Sequence, residues 1–286
     1  MQQTVGLVGL GLMGEVLSGR LMAAGFDVLG TDVDPAKNAR LVARGGKTGS
    51  LADIAACGTV VLAVFNTDQV EEVADALARM ARQDITVICA STCDPDRIEA
   101  LGERLAGKKV RFLEVPVSGS SEQVRQGDGV GLVGGDRQTA NEAKAVLDAL
   151  FPRRFHIGRI GDGGRAKLAV NLILGLNRLA LAEGLALAER MGLDGSAFLE
   201  VAKGSAAQSQ VMETKGPKMV AGDFSPQGYV KQHLKDVHMM LDQAKRLGQQ
   251  LPMLEVHRDV LEACVRAGEA ERDNSIVIEE IRRRRR

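Results

Sequence analysis

Thr4-Val-Gly-Leu-Val8-Gly9-Leu-Gly11-Leu-Met-Gly14, with Val28-Leu-Gly-Thr31-Asp32 downstream of it, is the part of this 286-residue sequence that decides its fold. Thr4 to Val8 is a short apolar run of strand type. From Gly14 onward Leu17, Leu21 and Ala24 recur at helical spacing until Gly25 stops the pattern. A second strand, Val28 to Thr31, follows at once and ends at Asp32, completing a βαβ unit of about 30 residues. In such a unit Gly9 permits the tight turn, Gly11 lets backbone approach a bound group, and Gly14 lets the helix lie close to the strand.

Glycines also mark ordinary turns, so the pattern is weak by itself, but here it sits between a strand and a helix. In that context the turn residues Gly9, Gly11, Leu12, Met13 and Gly14 predict a dinucleotide. Its pyrophosphate would lie on the helix N-terminus, where unpaired N–H groups and a positive dipole end meet an anion. Asp32 is placed to accept hydrogen bonds from the adenosine ribose, which favours NAD over NADP. The next residues are Val33, Asp34 and Pro35, with no arginine for a 2′-phosphate and a second carboxylate to repel it. Asp34 before Pro35 reads as a helix cap, leaving Asp32 free for the ribose.

Outward from this unit the alternation continues. Strands are expected at Val60 to Val64, Thr86 to Cys89, Arg111 to Glu114, Val130 to Val133 and Phe155 to Ile157, with helices near 35 to 44, 68 to 81, 95 to 106 and 137 to 150. Such alternation predicts an α/β fold with a doubly wound, mainly parallel sheet of the Rossmann type. After about residue 160 only helical spacing remains, at Arg165 to Met191, Gly195 to Ala202, Val230 to Leu247 and Pro252 to Ala267. The expected division is a dinucleotide-binding domain over 1–161 and an all-helical domain for substrate and oligomerisation over 162–286. Two loops after later strands are also expected to face the cofactor: Phe65-Asn66-Thr67, and Ser91-Thr92. Both could equally be helix caps.

Composition narrows the class. Apolar residues make up 45% of the chain and charged residues 26%, enough for a packed core. No run approaches the ~18 consecutive apolar residues of a membrane span, and the first residues lead straight into a strand without a leader pattern, so neither membrane insertion nor export is expected. Acidic and basic residues balance at 37 each, which argues against nucleic acid as the main ligand. Cys57, Cys89, Cys93 and Cys264 form no CxxC pair and no metal-ligand spacing, so reduced thiols in a cytoplasm are expected, with no metal site. The terminal Arg282-Arg-Arg-Arg-Arg286 reads as a solvated, frayed end, with polyanion binding as the other reading.

Gly158-Arg-Ile-Gly161-Asp-Gly163-Gly-Arg-Ala-Lys167-Leu-Ala-Val-Asn171 opens a helix with glycines and then sets a lysine and an asparagine four residues apart, on one helix face. A lysine ordinarily snorkels over apolar surface and leaves its ammonium in water. Lys167, however, falls at the expected domain boundary, a usual place for a small-molecule cleft. Glu114-Val-Pro-Val-Ser118-Gly119-Ser120-Ser121 follows a strand and opens a helix. Its serine hydroxyls and exposed amides could bind a carboxylate without arginine, or simply form a capped turn.

The Gly9 turn, the Pro116-Val-Ser-Gly119 segment, the Gly158 to Asn171 stretch and the Lys235-Asp236 pair together resemble, in order, the four signatures of the β-hydroxyacid dehydrogenase family. The resemblance runs over nearly the whole chain. It implies a Rossmann domain followed by a helical one, nicotinamide-dependent hydride transfer with a small carboxylate-bearing hydroxy acid or semialdehyde, and a homodimer or homotetramer. It further implies that Lys167 is the catalytic lysine and Asn171 orients lysine and substrate. Ser118, Gly119 and Ser120 would bind the substrate carboxylate, and Thr92 would lie near nicotinamide and substrate. Lys235 and Asp236 would line the closed cleft, touching cofactor and, for Lys235, substrate. Departures are Glu114 where the family usually has Asp, Gly228 with Tyr229 beside it where an aromatic is common, and Ser209 followed by Gln210 rather than Trp. The last two suggest a more polar or longer substrate than 3-hydroxyisobutyrate.

As a general acid or base Lys167 needs a pKa below the usual value of about 10.4, which partial desolvation and the positive helix end both favour. Two other readings compete: an imine reductase on the same scaffold, whose members usually lack lysine at this position, and a non-catalytic dinucleotide-binding or assembly protein.

Overall fold

The computed structural model describes residues 3–284, in two compact units, Met1–Lys167 and Leu168–Arg286. The division falls inside one helix, a few residues beyond the expected boundary.

In the first unit the elements run β1 (Thr4–Val8), α1 (Leu12–Ala23), β2 (Asp27–Thr31), α2 (Pro35–Ala43), β3 (Lys47–Thr48), α3 (Leu51–Ile54), β4 (Thr59–Leu62), α4 (Thr67–Met80), β5 (Ile85–Cys89), α5 (Pro95–Leu105) and β6 (Val110–Glu114). They continue through β7 (Val117–Ser118), α6 (Ser121–Gln126), β8 (Val130–Gly134), α7 (Arg137–Glu142), α8 (Lys144–Leu150) and β9 (Arg153–Gly158). The sheet order is β3-β2-β1-β4-β5-β6-β8-β7, with β9 on β8. From β3 to β6 every pairing is parallel, and β8 joins both β6 and β7 antiparallel. The chain therefore reverses its direction of sheet growth at β1, and the turn after β1 lies where ligands bind in such sheets.

The central strands read as continuous apolar runs because both faces are covered. Val61, Ile88 and Leu113 pack with Val5, Leu7, Leu17 and Leu21 on one face, while Val60, Leu62, Val87, Cys89 and Phe112 pack with Leu77 and Ile98 on the other. Helix starts carry side-chain caps: Asp34 accepts the Ala36 amide at 2.9 Å, and Asp94 accepts those of Asp96 and Arg97 at 3.0 and 3.2 Å.

The second unit contains most of α9 (Asp162–Arg190), then α10 (Gly195–Lys203), α11 (Gln210–Thr214), α12 (Gly216–Ala221), α13 (Val230–Arg246), α14 (Pro252–Arg266) and α15 (Val277–Arg283). By length and composition α9 could cross a membrane; here its Leu168, Leu179, Leu181, Ala182 and Leu185 sit in the core of this unit with Val237, Leu261 and Ile278.

Two differences from the sequence reading concern short pieces and the terminus. β3, α3, β7, α11 and α12 are too short to show a period, so they read as loops, whereas α6 begins where the Ser118 to Ser121 segment was read as opening a helix. The arginine tail is not frayed over its described part: α15 includes Arg282 and Arg283. Arg282 pairs with Glu189 and Glu279, Arg283 with Glu269 at 2.7 Å, and Arg284 with Glu280 at 3.0 Å. Nearby carboxylates neutralise the like charges that read as self-repelling. Arg285 and Arg286, the rest of that tail, lie outside the described residues.

Candidate functional site

The glycine turn after β1 is held by backbone. Gly9 donates to the Thr31 carbonyl at 2.9 Å with φ at +92°, and a Cβ on Gly14 would stand 1.9 Å from the Gly9 carbonyl oxygen, so helix and strand meet here only because Gly14 has no side chain. Gly11 is the N-cap of α1 and supplies no side-chain acceptor; a Cβ built on it would meet nothing within 4 Å. The turn thus offers open space in front of uncapped helix amides, flanked by Leu12 and Met13 in the first turn of α1. These are the surroundings a pyrophosphate requires, so the residues fit a dinucleotide.

Asp32 follows β2, and its carboxylate is not free of protein partners as its neighbours suggested. It accepts the Leu10 amide at 2.8 Å and the Asp34 amide at 2.9 Å, and Lys37 lies 3.2 Å away. Burial works to raise its pKa, but these three partners outweigh it and hold the carboxyl below the usual range. It is an ionised acceptor tied to the glycine turn through Leu10. Along the same edge, Asn66 caps α4 by accepting the Gln69 amide at 2.9 Å, and Phe65 is exposed. Beyond β5, the Ser91 hydroxyl donates to the Val64 carbonyl at 2.7 Å, which ties the Thr92 loop to the loop after β4.

Ser118 ends β7, Gly119 has φ at +140°, and Ser120 caps α6 in a capping box: its hydroxyl accepts from the Gln123 amide at 3.2 Å while the Gln123 side chain accepts from the Ser120 amide at 2.9 Å. Ser120 therefore makes the capped turn that was the structural alternative to carboxylate binding. Ser118 and Gly119 stand immediately before it.

Lys167 and Asn171 both lie on α9, one turn apart, and both are buried. Within the second unit Asn171 donates its side-chain amide to an Asp236 carboxylate oxygen at 3.0 Å, and Lys235 lies 3.2 Å from the other oxygen of Asp236. The pair on α13 is thereby joined to α9, and Asp236 faces protein side chains rather than only a ligand.

One residue of consequence stood out in the sequence only as a departure from the family's usual Asp. Glu114, the last residue of β6, is 1% exposed and reaches the start of α9: it accepts the Gly161 amide at 2.8 Å and also the Gly164 amide. Burial pushes its pKa up to about 7, against the pull of those amides and of Arg165. A second buried group lies in the helical unit. Lys215 reaches both oxygens of Asp273 at 2.9 Å, and Asp273 also accepts amides of Gln227, Gly228 and Ser275. Among the described residues no cluster suited to a metal ion is present.

The sheet order, the open glycine turn and Asp32 define a dinucleotide-binding protein of the Rossmann class. Comparison with known proteins narrows this. Residues 4–158 match the family model "NAD binding domain of 6-phosphogluconate dehydrogenase", and residues 161–281 match "NAD-binding of NADP-dependent 3-hydroxyisobutyrate dehydrogenase". The chain is 31% identical to L-threonate dehydrogenase of Cupriavidus necator over 97% of this chain and 96% of that one. It is similar to the structure of 3-hydroxyisobutyrate dehydrogenase from Salmonella typhimurium, with a TM-score of 0.88 and 29% identity over 97% of this chain and 99% of that one. The Mycobacterium tuberculosis 3-hydroxyisobutyrate dehydrogenase with L-serine gives a TM-score of 0.87 and 26% identity over 99% of this chain and all of the other. The chain belongs to the β-hydroxyacid dehydrogenase family, the NAD(P)-dependent oxidoreductases of hydroxy acids and semialdehydes.

Proposed function

We propose that this chain is an NAD-dependent dehydrogenase of a small β-hydroxy acid, or of the corresponding semialdehyde in reverse, with Lys167 as proton donor and acceptor. The observation that carries this reading is the buried Lys167 and Asn171 on one face of α9, the latter anchored to Asp236. When bound, the nicotinamide supplies the hydride donor or acceptor. The chain must hold the substrate and manage one proton. Lys167 gives that proton to the oxygen that becomes a hydroxyl, and takes it back in the oxidative direction. Asn171 orients substrate and lysine, and its bond to Asp236 fixes which way its amide faces. Ser118 and Gly119 hold the carboxylate with Ser120 behind them, Thr92 borders the reacting carbon, and Lys235 contributes a cation from α13.

Preference for NAD rests on Asp32, whose ionised carboxylate beside Val33 and Asp34 repels a 2′-phosphate while accepting from ribose hydroxyls. Lys37 reduces that repulsion without removing it. The same reading makes the protein a homodimer or homotetramer in a reducing cytoplasm; the four free, buried cysteines support the compartment. The test is a panel of 3-hydroxyisobutyrate, glycerate, 4-hydroxybutyrate and threonate with NAD and with NADP, followed by absorbance of the reduced cofactor. Turnover with NAD is expected for one or more of them, and none with any substrate would overturn the reading.

A further inference from the structure

We propose that Glu114 is a positioning residue for the hydride-transfer site: its carboxylate caps the first turn of α9 from β6, fixing where Lys167 stands and what charge it faces. The inference rests on the dehydrogenase reading for its chemistry, and on geometry internal to the first unit for its structure.

The first amides of a helix have no partner within it. In α9 the side chain that meets them comes from a strand 47 residues earlier in the sequence, with Gly161 donating to Glu114 at 2.8 Å. Gly164 donates to the same carboxylate. The surrounding glycines are shaped around it: a Cβ on Gly164 would stand 2.5 Å from one Glu114 oxygen, and on Gly134 or Gly163 would stand 2.8 or 3.1 Å from the other. The repeated glycines that open α9 thus make room for a carboxylate, besides turning the chain. Asp162, which lies in the same turn, is turned elsewhere, accepting from the Arg159 amide at 3.0 Å and from Arg165 at 3.1 Å.

Lys167 follows Gly164 by three residues, within one turn of the capped amide along α9. A negative Glu114 offsets the positive end of the helix that carries Lys167; a neutral one leaves that end unopposed. The other charged or titratable groups around Glu114 are Asp162 and Arg165 on α9 and the Cys89 thiol on β5. Arg165 is itself engaged by Glu99 at 2.6 Å and Asp96 at 3.0 Å on α5. Glu114 is thus the carboxylate whose charge state can change at the root of this helix near neutral pH.

Two variants test this. Glu114→Gln keeps the shape and removes the charge, so the limb of kcat for alcohol oxidation that rises with pH should move about one pH unit toward acid, while NAD binding by fluorescence titration is unchanged. Glu114→Asp keeps the charge but cannot reach both amides; hydrogen exchange over 161–165 should quicken by about tenfold and kcat should fall without a shift of the limb. A pH profile of Glu114→Gln superimposable on the native one, or native exchange in Glu114→Asp, would overturn the proposal. Exchange is read without substrate, so absence of turnover in the native chain counts against the dehydrogenase reading alone.

Discussion

Asn171 on α9 gives its side-chain amide to Asp236 on α13 at 3.0 Å, a bond between residues 65 apart in sequence, both of them buried. An asparagine amide can point its oxygen or its nitrogen at a ligand. With the nitrogen held by a carboxylate, the orientation of the amide is fixed, and so is the direction its oxygen faces. Replacing Asp236 by Ala should therefore lower kcat by about ten- to a hundredfold, the worth of a hydrogen bond to a charged acceptor. Asp236→Asn should recover part of it. Steady-state kinetics of the two variants checks this, and native kcat in both would show that Asn171 needs no anchor.

Lys167→Ala removes the proposed acid and base without touching the glycine turn. The expected loss in kcat is about 10²- to 10⁴-fold, with the dissociation constant for NAD close to native. Calorimetric titration of NAD beside single-turnover rates separates the two quantities. An equal loss in both would mean that the lysine binds cofactor instead.

Asp32 should govern the choice between cofactors. Asp32→Ser removes the ionised carboxylate and leaves Lys37 without its partner at 3.2 Å, so the ratio of kcat/KM for NADP over NAD should rise by about tenfold or more. A ratio unmoved by the substitution would detach Asp32 from the adenosine ribose.

His257 in the helical unit should make the fold acid-sensitive. Its ring is buried, with Nε2 at 3.0 Å from that of His233, and burial together with the nearby Arg178 charge pushes its pKa from the ordinary 6.5 down to about 3. Because the folded pKa is depressed, the unfolded chain takes up the proton first. The stability His257 contributes is complete above about pH 6.5 and is lost steadily as pH falls toward 3. Glu114 acts with the opposite sign: its folded pKa of about 7 is above the ordinary 4.5, so its burial costs nothing in acid and destabilises progressively as pH rises through that window. Denaturant midpoints of His257→Asn should fall less steeply between pH 6.5 and 4 than native ones. Those of Glu114→Gln should lose the decline that native protein shows from pH 4.5 to 7.

The Lys215 and Asp273 pair should be among the costlier ones to break. Asp273 is fully buried and also receives the amides of Gln227, Gly228 and Ser275, so Asp273→Ala strands both a buried ammonium and several donors. About 3 to 5 kcal/mol of stability should be lost, read by urea unfolding. Lys215→Met, which fills the same space without charge, should cost less than the aspartate change does.

How much of this was legible beforehand follows from the range of each interaction. The βαβ start and the helical run after Gly161 are written in windows of a dozen residues, where alternation, helical spacing and turn chemistry act locally. Lys167 and Asn171 were legible for the same reason, since four residues of helix put them on one face. Asp34 as a cap was readable from its neighbour Pro35, and the structure has it. The same local reasoning left Asp32 free: it overlooked the nearby Asp34 amide and Lys37, and it had no access to Leu10, which comes from the turn after a different strand.

By itself, then, the sequence determined the order of elements, the glycine turn and the spacing of the lysine and asparagine, since each depends on residues within a few turns of one another. Only the tertiary structure decided that Glu114 caps α9, that Asp236 holds Asn171, and that the described tail arginines are neutralised by Glu189, Glu269, Glu279 and Glu280. Glu114 with the start of α9, Asp236 with Asn171 and Glu189 with Arg282 are pairings between residues far apart along the chain, and no local pattern encodes such a partner.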